Sequence, residues 1–474
     1  MVGGEEIRNK MQLLLIRDRV LVPLYYIKWN IKRMLGYDLK YSNQILDMKL
    51  RRSMFEAVGD KSLLPGISVK LELLKSGDNE SLNCYVFEPI DWDTVSTMFY
   101  YHGGGWCVGS VGNTHFQFIQ NLALKLKMRI ISPEYRLAPE HPFPAGFNDC
   151  YESTKHFVKT LDLKKYHFTG DSAGGNLCTA VCLKLAITEP ALMKSNRPGL
   201  LAPIYPSYLM DFNQGSFVTE DLPTLSRRST AKYLSTYLTG SFDEGILKDI
   251  CSNYHFESEW NPKPNIANID PAKVMKFSSN KFAVKKLKKG LENPYFQCLI
   301  ASDENLKKML ECLSVGVHMV AMEHDVIRDD SFLMATRLKL LNQEVHLRRP
   351  LSQKFEDDKV SVDVVTGGWH GLFSVKFVVE NKELDAVVNN WFEDISRMVE
   401  TGKLDRKKLD FTKKLCRKQH VLNLRNTEFC PYEKIPSALD EGIPFPASNL
   451  EELLEGTIPK SELNEMVKNS KARR

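Results

Sequence analysis

The fold is decided by a five-residue stretch near the middle of the sequence, Gly170-Asp171-Ser172-Ala173-Gly174. It follows the apolar, strand-like run 166–169. In a G-x-S-x-G pattern the serine lies on a tight strand-to-helix turn that exposes its hydroxyl. The flanking residues are small because a Cβ in that turn would collide with the neighbouring strand and helix. The stretch therefore predicts Ser172 as a candidate nucleophile at the end of a strand.

A second glycine-rich stretch also follows an apolar strand-like run, at 97–101; it reads His102-Gly103-Gly104-Gly105-Trp106. Glycines allow the main chain to approach a reacting carbonyl closely, so that backbone N–H groups can stabilise the developing oxyanion. Either stretch alone is weak evidence. Together, in this order, they predict a serine hydrolase.

The candidate base is His370, because a serine hydroxyl needs a base to remove its proton and imidazole is the usual one. In sheets of this kind the serine is followed along the chain by the acid and then the histidine. His370 lies in the glycine-lined loop 367–373, between a strand and the closing helices. His318 is embedded in the apolar strand 315–322 and is predicted to be structural, and His420 lies in a basic tail.

The candidate acid is Asp325, the acidic residue at the carboxyl end of the strand 315–322 that is best placed to reach a histidine on the next loop. Asp329 and Asp330 are expected to cap the helix that follows, since an aspartate at an N-cap accepts hydrogen bonds from free backbone N–H groups. Glu323 is a poorer candidate for the acid.

Strands that alternate with helices from about residue 67 to 400 predict a mostly parallel sheet covered by helices on both faces. A hairpin is expected at 67–89. Strands are expected at 97–101, 128–133, 166–169, 200–205, 315–322 and 360–366; helices at 116–126, 144–161, 174–186, 331–341 and 384–399. We interpret 1–66 as an N-terminal cap or irregular segment, 206–300 as a cap inserted in the α/β domain, and 401–474 as a basic, disordered tail.

Composition narrows the class of protein further. The 474 residues carry a net charge of only +5, which gives no basis for nucleic-acid binding. Ten cysteines without a C-x-x-C pair or a Cys/His cluster indicate neither a disulfide scaffold nor a zinc site; Cys178 and Cys182 are predicted to lie on a buried helix. The apolar run 11–16 is interrupted by charges at 17–19, so no transmembrane helix is predicted there. A helix on a membrane surface and a cap or core helix remain the two interpretations of that segment.

Four stretches resemble the hormone-sensitive-lipase branch of the α/β-hydrolases, and within it the arylacetamide deacetylases and neutral cholesterol ester hydrolases. They are 102–106 (HGGGW), 135–140 (YRLAPE), 170–175 (GDSAGG) and 325–330 (DVIRDD). The resemblance covers about 60–400 and implies an α/β-hydrolase fold with a helical cap. It implies Ser172 as nucleophile, His370 as base and Asp325 as orienting acid. It also implies an oxyanion hole formed by Ala173 N–H with two of Gly103, Gly104 and Gly105, the last two preferred. His102 and the segment 135–144 would support the loop.

The implied reaction is a two-step acyl transfer on small acyl or lipid-like esters that needs no metal or organic cofactor. Two alternatives remain open: a lipase acting on long-chain acylglycerols or sterol esters, and a catalytically silent ligand-binding member of the fold. The sequence departs from the family in three places. Its start shows no hydrophobic signal anchor, leaving a cytoplasmic and an endoplasmic-reticulum-associated location as alternatives; the segment 346–359 is an insertion; and the tail after about 400 has no counterpart.

Overall fold

The structure is a computed structural model. It describes residues 48, 52, 60–75, 81–212, 214–220, 225–242, 244–253, 287–288, 290–347, 359–375 and 382–404. Most of the predicted N-terminal segment, residues 254–286 of the predicted cap, residues 348–358 of the predicted insertion 346–359 and the tail beyond 404 lie outside these residues. Within them, no helix is both long and apolar enough to cross a lipid bilayer.

An eight-stranded sheet forms the centre of the fold, with the strand order β1-β2-β4-β3-β5-β6-β7-β8. The strands β1 and β2 pair antiparallel, as do β2 and β4, and all other neighbours are parallel. The strands are β1 (Ile67–Lys75), β2 (Ser81–Pro89), β3 (Asp93–Tyr101), β4 (Met128–Pro133), β5 (Lys165–Asp171), β6 (Arg197–Ile204), β7 (Gly316–His324) and β8 (Val360–Trp369). The α/β-hydrolase fold expected from the sequence is confirmed.

Helices cover both faces of this sheet. In the described part of the chain the helices are α1 (Phe116–Leu126), α2 (Ala145–Thr160), α3 (Ala173–Thr188), α4 (Pro190–Ser195), α5 (Gly215–Thr219), α6 (Arg227–Thr239), α7 (Glu244–Cys251), α8 (Asp303–Cys312), α9 (Arg328–Leu347), α10 (Leu372–Val375) and α11 (Lys382–Thr401), of which α5 to α7 lie in the connection between β6 and β7. On one face α11 packs against α1 and the sheet; on the other, α2 and α8 pack against α3, and α9 packs against β7 and β8.

Two hydrophobic cores result from this layering, one on each side of the sheet. Successive residues of a strand point to opposite faces, so Leu201 joins the core under α3 while Leu200 joins the core that contains Phe118 and Trp391. Parallel strands covered on both faces must be apolar on both faces, which is why β6 is buried from Pro198 to its end. The cysteines of α3, at 178 and 182, are buried and free as predicted.

The order of elements sets the position of the functional residues. The carboxyl ends of the parallel strands β3, β5, β7 and β8 meet at one edge of the sheet, and each candidate residue follows one of them. The connection between β6 and β7 contains the helices α5 to α8, which return the chain to the same sheet. Candidate residues far apart in sequence therefore converge at one edge.

Candidate active site

Ser172 occupies the turn between β5 and α3, with φ of 56° and ψ of −118°. A non-glycine residue with such a positive φ is strained, and the surroundings must hold it there. Its N–H donates to Ile204 O at 2.9 Å, and its carbonyl accepts from Asn176 N–H at 3.1 Å. A Cβ on Gly174 would lie 1.9 Å from Tyr101 O, so α3 can approach β3 this closely only with glycine there. The turn presents the Ser172 hydroxyl at the sheet edge.

His370 and Asp325 lie in line with this hydroxyl. His370 Nε2 is 2.8 Å from Ser172 Oγ, and His370 Nδ1 is 2.7 Å from Asp325 Oδ2. A carboxylate only accepts hydrogen bonds, so Nδ1 carries the proton and Nε2 is free to accept one from the serine. Asp325 is 1% exposed, and its other oxygen accepts from Ile327 N–H at 3.1 Å. The structure thus brings together three side chains that the sequence separates by as many as 198 positions.

The backbone N–H groups near Ser172 differ in their availability. Gly103 N–H donates to Asp171 Oδ1 at 2.8 Å, so it is already used. In the described part of the chain, the N–H groups of Gly104, Gly105 and Ala173 have no acceptor. Ala173 is the first residue of α3, where helix N–H groups lack an intrahelical partner. The four candidate oxyanion donors named from the sequence are thereby reduced to three.

Gly104→Ala is expected to lower kcat roughly 10²- to 10³-fold, the usual cost of losing one oxyanion donor. Gly104 has φ of +116°, and a Cβ there would lie 2.1 Å from Val108 O. Its carbonyl already accepts from Cys107 and Val108 N–H at 3.1 and 3.0 Å, so the turn cannot open without moving the N–H group. Ester-hydrolysis kinetics would measure this loss.

Gly402→Ala is the matched control for that substitution. Gly402 also has a positive φ, of +70°, and follows α11, but among the described residues no atom lies within 4 Å of its Cβ position. We expect it to cost about 1 kcal/mol of folding free energy with kcat unchanged. A Gly104→Ala enzyme that keeps full kcat would contradict the role of this loop.

The ring of His102 supports the loop, as the family resemblance implied. Burial, and then the nearby His115, lowers the pKa of His102 to about 3, so its ring is neutral. Its Nδ1 lies 2.7 Å from Gly103 O, which requires Nδ1 to donate. The Tyr135 ring stacks on it at 4.2 Å between centroids, and the Tyr135 hydroxyl donates to His102 O at 2.8 Å. His102 therefore holds the glycine loop in place and is not a proton acceptor for Ser172.

The helix α6 covers the glycine loop with aromatic rings. Tyr237 stacks on Trp106 with 4.6 Å between centroids and 6° between planes, and Phe296 lies 5.3 Å from Trp106. A Cβ on Gly105 would lie 2.5 Å from the Tyr233 ring. The loop that carries the candidate oxyanion donors is thus packed under part of the β6–β7 connection.

The expectation that Asp329 and Asp330 cap α9 is wrong. The helix begins at Arg328, so both residues lie inside its first turn. The Asp329 carboxylate accepts from Ser216 N–H at 2.8 Å, and that of Asp330 accepts from Tyr208 and Leu209 N–H at 2.5 and 3.0 Å. Both side chains therefore hold the segment after β6 instead of their own helix. Tertiary contacts of this kind cannot be seen in a local sequence pattern.

The structural role predicted for His318 agrees with its environment. Its ring is fully buried in β7, and Nδ1 lies 2.9 Å from the Ser361 hydroxyl of β8. His420 lies outside the described residues. Asp171, which the sequence marked only as part of the serine motif, is the polar residue that was missed: Tyr100 donates its hydroxyl to Oδ1 at 2.6 Å, alongside the Gly103 N–H.

Comparison with known proteins gives the family. A family model described as the α/β-hydrolase fold matches residues 98–275. The mouse neutral cholesterol ester hydrolase 1 (Mus musculus) is 30% identical over 308 residues, which cover 60% of this chain and 71% of that protein. The chain belongs to the α/β-hydrolase family. Within that family the chain falls in the branch that contains the arylacetamide deacetylases, as its motifs predicted: the rabbit arylacetamide deacetylase (Oryctolagus cuniculus) is 28% identical over 267 residues.

The matches differ in how much of each protein they cover. The alignment with the rabbit arylacetamide deacetylase spans 51% of this chain and 63% of the rabbit protein, less than two thirds of its length. Two fungal esterases share the fold. Carboxyl esterase 2 of Tuber melanosporum has a TM-score of 0.51 at 18% identity, covering 72% of this chain and 88% of its own. A Rhizomucor miehei esterase has a TM-score of 0.53 at 17% identity, covering 75% and 90%. At these identities the likeness concerns the fold alone.

Proposed function

We propose that this chain is a serine carboxylic-ester hydrolase of small acyl or lipid-like esters. The observation that most supports this is the alignment of Ser172 Oγ, His370 Nε2 and Asp325 Oδ2 through contacts of 2.8 and 2.7 Å. A nucleophile within hydrogen-bond reach of a base that is itself oriented by an acid is the geometry of acyl transfer. The names of the mammalian relatives, an ester hydrolase and a deacetylase, agree with it.

In the proposed mechanism, Ser172 attacks the ester carbonyl while His370 accepts the hydroxyl proton at Nε2. Asp325 holds the Nδ1 proton and stabilises the imidazolium that forms. The oxyanion accepts hydrogen bonds from the N–H groups of Ala173, Gly104 and Gly105. His370 then donates its proton to the leaving alcohol, and water repeats the attack on the acyl-enzyme. These steps use side chains, backbone groups and water only, and need no cofactor.

The stacked aromatic rings above the glycine loop support an apolar substrate. We propose that the β6–β7 connection acts as a cap, with α6 and Phe296 covering the candidate oxyanion donors through Trp106 and Tyr233. The apolar character of this covering segment favours acyl or aryl groups over charged ones, because apolar surface is removed from water on binding. The domain organisation that we propose is an N-terminal segment at 1–66, an α/β domain at 67–400 with the cap inserted at about 206–300, and a basic tail at 401–474.

A serine-directed fluorophosphonate probe and a panel of nitrophenyl esters, from acetate to palmitate, test the proposal. We expect the probe to label the wild-type chain at one serine, Ser172, and the short and medium esters to be hydrolysed. Fastest turnover of palmitate would favour the lipase alternative. The matched variant Ser172→Ala should take up no label. A wild-type chain that is neither labelled nor active on any ester would contradict the proposal and favour a silent ligand-binding protein.

A further inference from the structure

The carboxylate of Asp171 contacts several separate parts of the proposed site. Besides the Gly103 N–H and the Tyr100 hydroxyl on Oδ1, it receives the Ser374 hydroxyl on Oδ2, and His115 Nε2 lies 3.4 Å from Oδ2. The residue is 2% exposed. Burying a carboxylate is costly unless its oxygens are satisfied, and here four groups from three further segments of the chain satisfy them.

Asp171 is ionised in this environment. Burial alone would raise the pKa of Asp171, but the charge of His115 and the hydrogen bonds from His115, Ser374 and Tyr100 outweigh it and hold that pKa well below its usual range. Hydrogen bonds to an ionised acceptor are about twice as strong as those between neutral groups. The hydrogen bonds that Asp171 accepts therefore hold the donating segments firmly in place.

Ser374 belongs to α10, which follows His370 after a short turn. Its hydroxyl has one hydrogen, which goes to Asp171 because a carboxylate cannot donate. The Tyr205 hydroxyl, 3.4 Å away, is then the donor to Ser374 Oγ. Burial raises the pKa of Tyr205, which keeps that proton in place. The Tyr205 ring also lies 5.0 Å from the His370 ring, at 60° between planes.

We infer that Asp171 and Ser374 are positioning residues, whose hydrogen bond sets the distance between the His370 loop and the glycine loop. Asp171 directly precedes Ser172, holds the glycine loop at Gly103 and holds the His370 segment at Ser374. One carboxylate thus joins the three segments that carry Ser172, His370 and the candidate oxyanion donors. It acts through these segments and not by contact with the substrate. The inference rests on the proposed function, since it names which groups keep that site aligned.

The effect of this link should fall on kcat. The alignment of Ser172, His370 and the oxyanion donors matters while the proton moves and the oxyanion forms, whereas ground-state binding depends on the pocket. A shift of about 1 Å in such a group can cost roughly 10²-fold in rate. Loss of the link is therefore expected to lower kcat and leave KM nearly unchanged.

Ser374→Ala tests the inference, with kcat expressed per active site by fluorophosphonate titration. We expect kcat to fall about 10- to 100-fold with KM little changed, and Ser374→Thr, which keeps the hydroxyl, to recover most of the rate. Ser361→Ala is the matched control, because it also removes a serine hydroxyl, one that is hydrogen-bonded to His318. Ser361 lies in β8, the strand that leads to His370. A kcat for Ser374→Ala equal to that of Ser361→Ala would overturn the inference.

A double-mutant cycle gives a second, independent test. Asp171→Asn keeps the shape of the side chain but removes its charge, and we expect it to lower kcat as well. If the two residues act as a unit, Asp171→Asn/Ser374→Ala will have a kcat close to that of the slower single variant. Losses that multiply would overturn the inference. Ester hydrolysis that is lost in Ser172→Ala but unaffected by Ser374→Ala overturns this inference alone and leaves the proposed function standing.

Discussion

Ser172→Ala is expected to lower kcat for a short-chain nitrophenyl ester by roughly 10⁶-fold, the loss found when a serine nucleophile is removed from a working triad. The substitution removes only Oγ, which lies 2.8 Å from His370 Nε2, so the base and the oxyanion donors stay in place without a group to attack the carbonyl. Initial rates measured at high enzyme concentration would determine the residual activity.

The backbone of Ser172 supplies the control for this prediction. Alanine at φ of 56° carries the same strain as serine, so the stability of Ser172→Ala should match that of the wild type. Glycine adopts this conformation freely, and Ser172→Gly should therefore be more stable than Ser172→Ala by about 1 to 3 kcal/mol. Urea unfolding would measure the difference. Activity retained in both variants would show that another residue is the nucleophile.

Asp325→Asn is expected to lower kcat by roughly 10⁴-fold with little change in KM. Ile327 N–H, 3.1 Å from Oδ1, fixes the orientation of the amide, so its oxygen faces Ile327 and its NH₂ group faces His370 Nδ1. The amide then donates to Nδ1, which moves the ring proton to Nε2. A protonated Nε2 cannot accept the Ser172 proton.

Glu323→Gln is the matched control for that substitution, because it neutralises a carboxylate two positions earlier, near the end of the same strand. We expect its kcat to stay near that of the wild type, and steady-state kinetics of the two variants would separate the candidates. A larger loss in Glu323→Gln than in Asp325→Asn would show that the acid is misassigned. The order serine, acid, histidine would still hold, with a different acid.

Much of the sheet could be predicted because it depends on local patterns. The hairpin at 67–89 is present as β1 and β2, and α1 has the predicted bounds, Phe116–Leu126. The predicted strand 360–366 is too short, since β8 continues through two glycines to Trp369, which pairs with His324. Glycine lowers the local preference for a strand, but pairing with β7 across a register shift overrides it. The bounds of a strand therefore depend on its neighbour in the sheet.

The residues of the candidate site could be predicted where they belong to a sequence motif. Contacts between side chains that are distant in the sequence could not. Ser172, Asp325 and His370 each follow a recognisable strand, so their order and position could be foreseen. The contacts of Asp171 could not, because Ser374 lies 203 positions away and its segment has no motif. The same holds for Asp329, whose partner Ser216 lies 113 positions away.

The stacking of Tyr237 on Trp106 couples the shape of the space above the glycine loop to the position of the loop itself. A substitution in α6 that reshaped the space above the glycine loop would also move the ring on which Trp106 rests, and with it the loop. For the proposed activity, substitutions at 237 are therefore expected to change substrate range and kcat together. Lineages that acquire new substrates should carry paired substitutions at 106 and 237, whereas positions on the far side of α6 should diversify without that constraint.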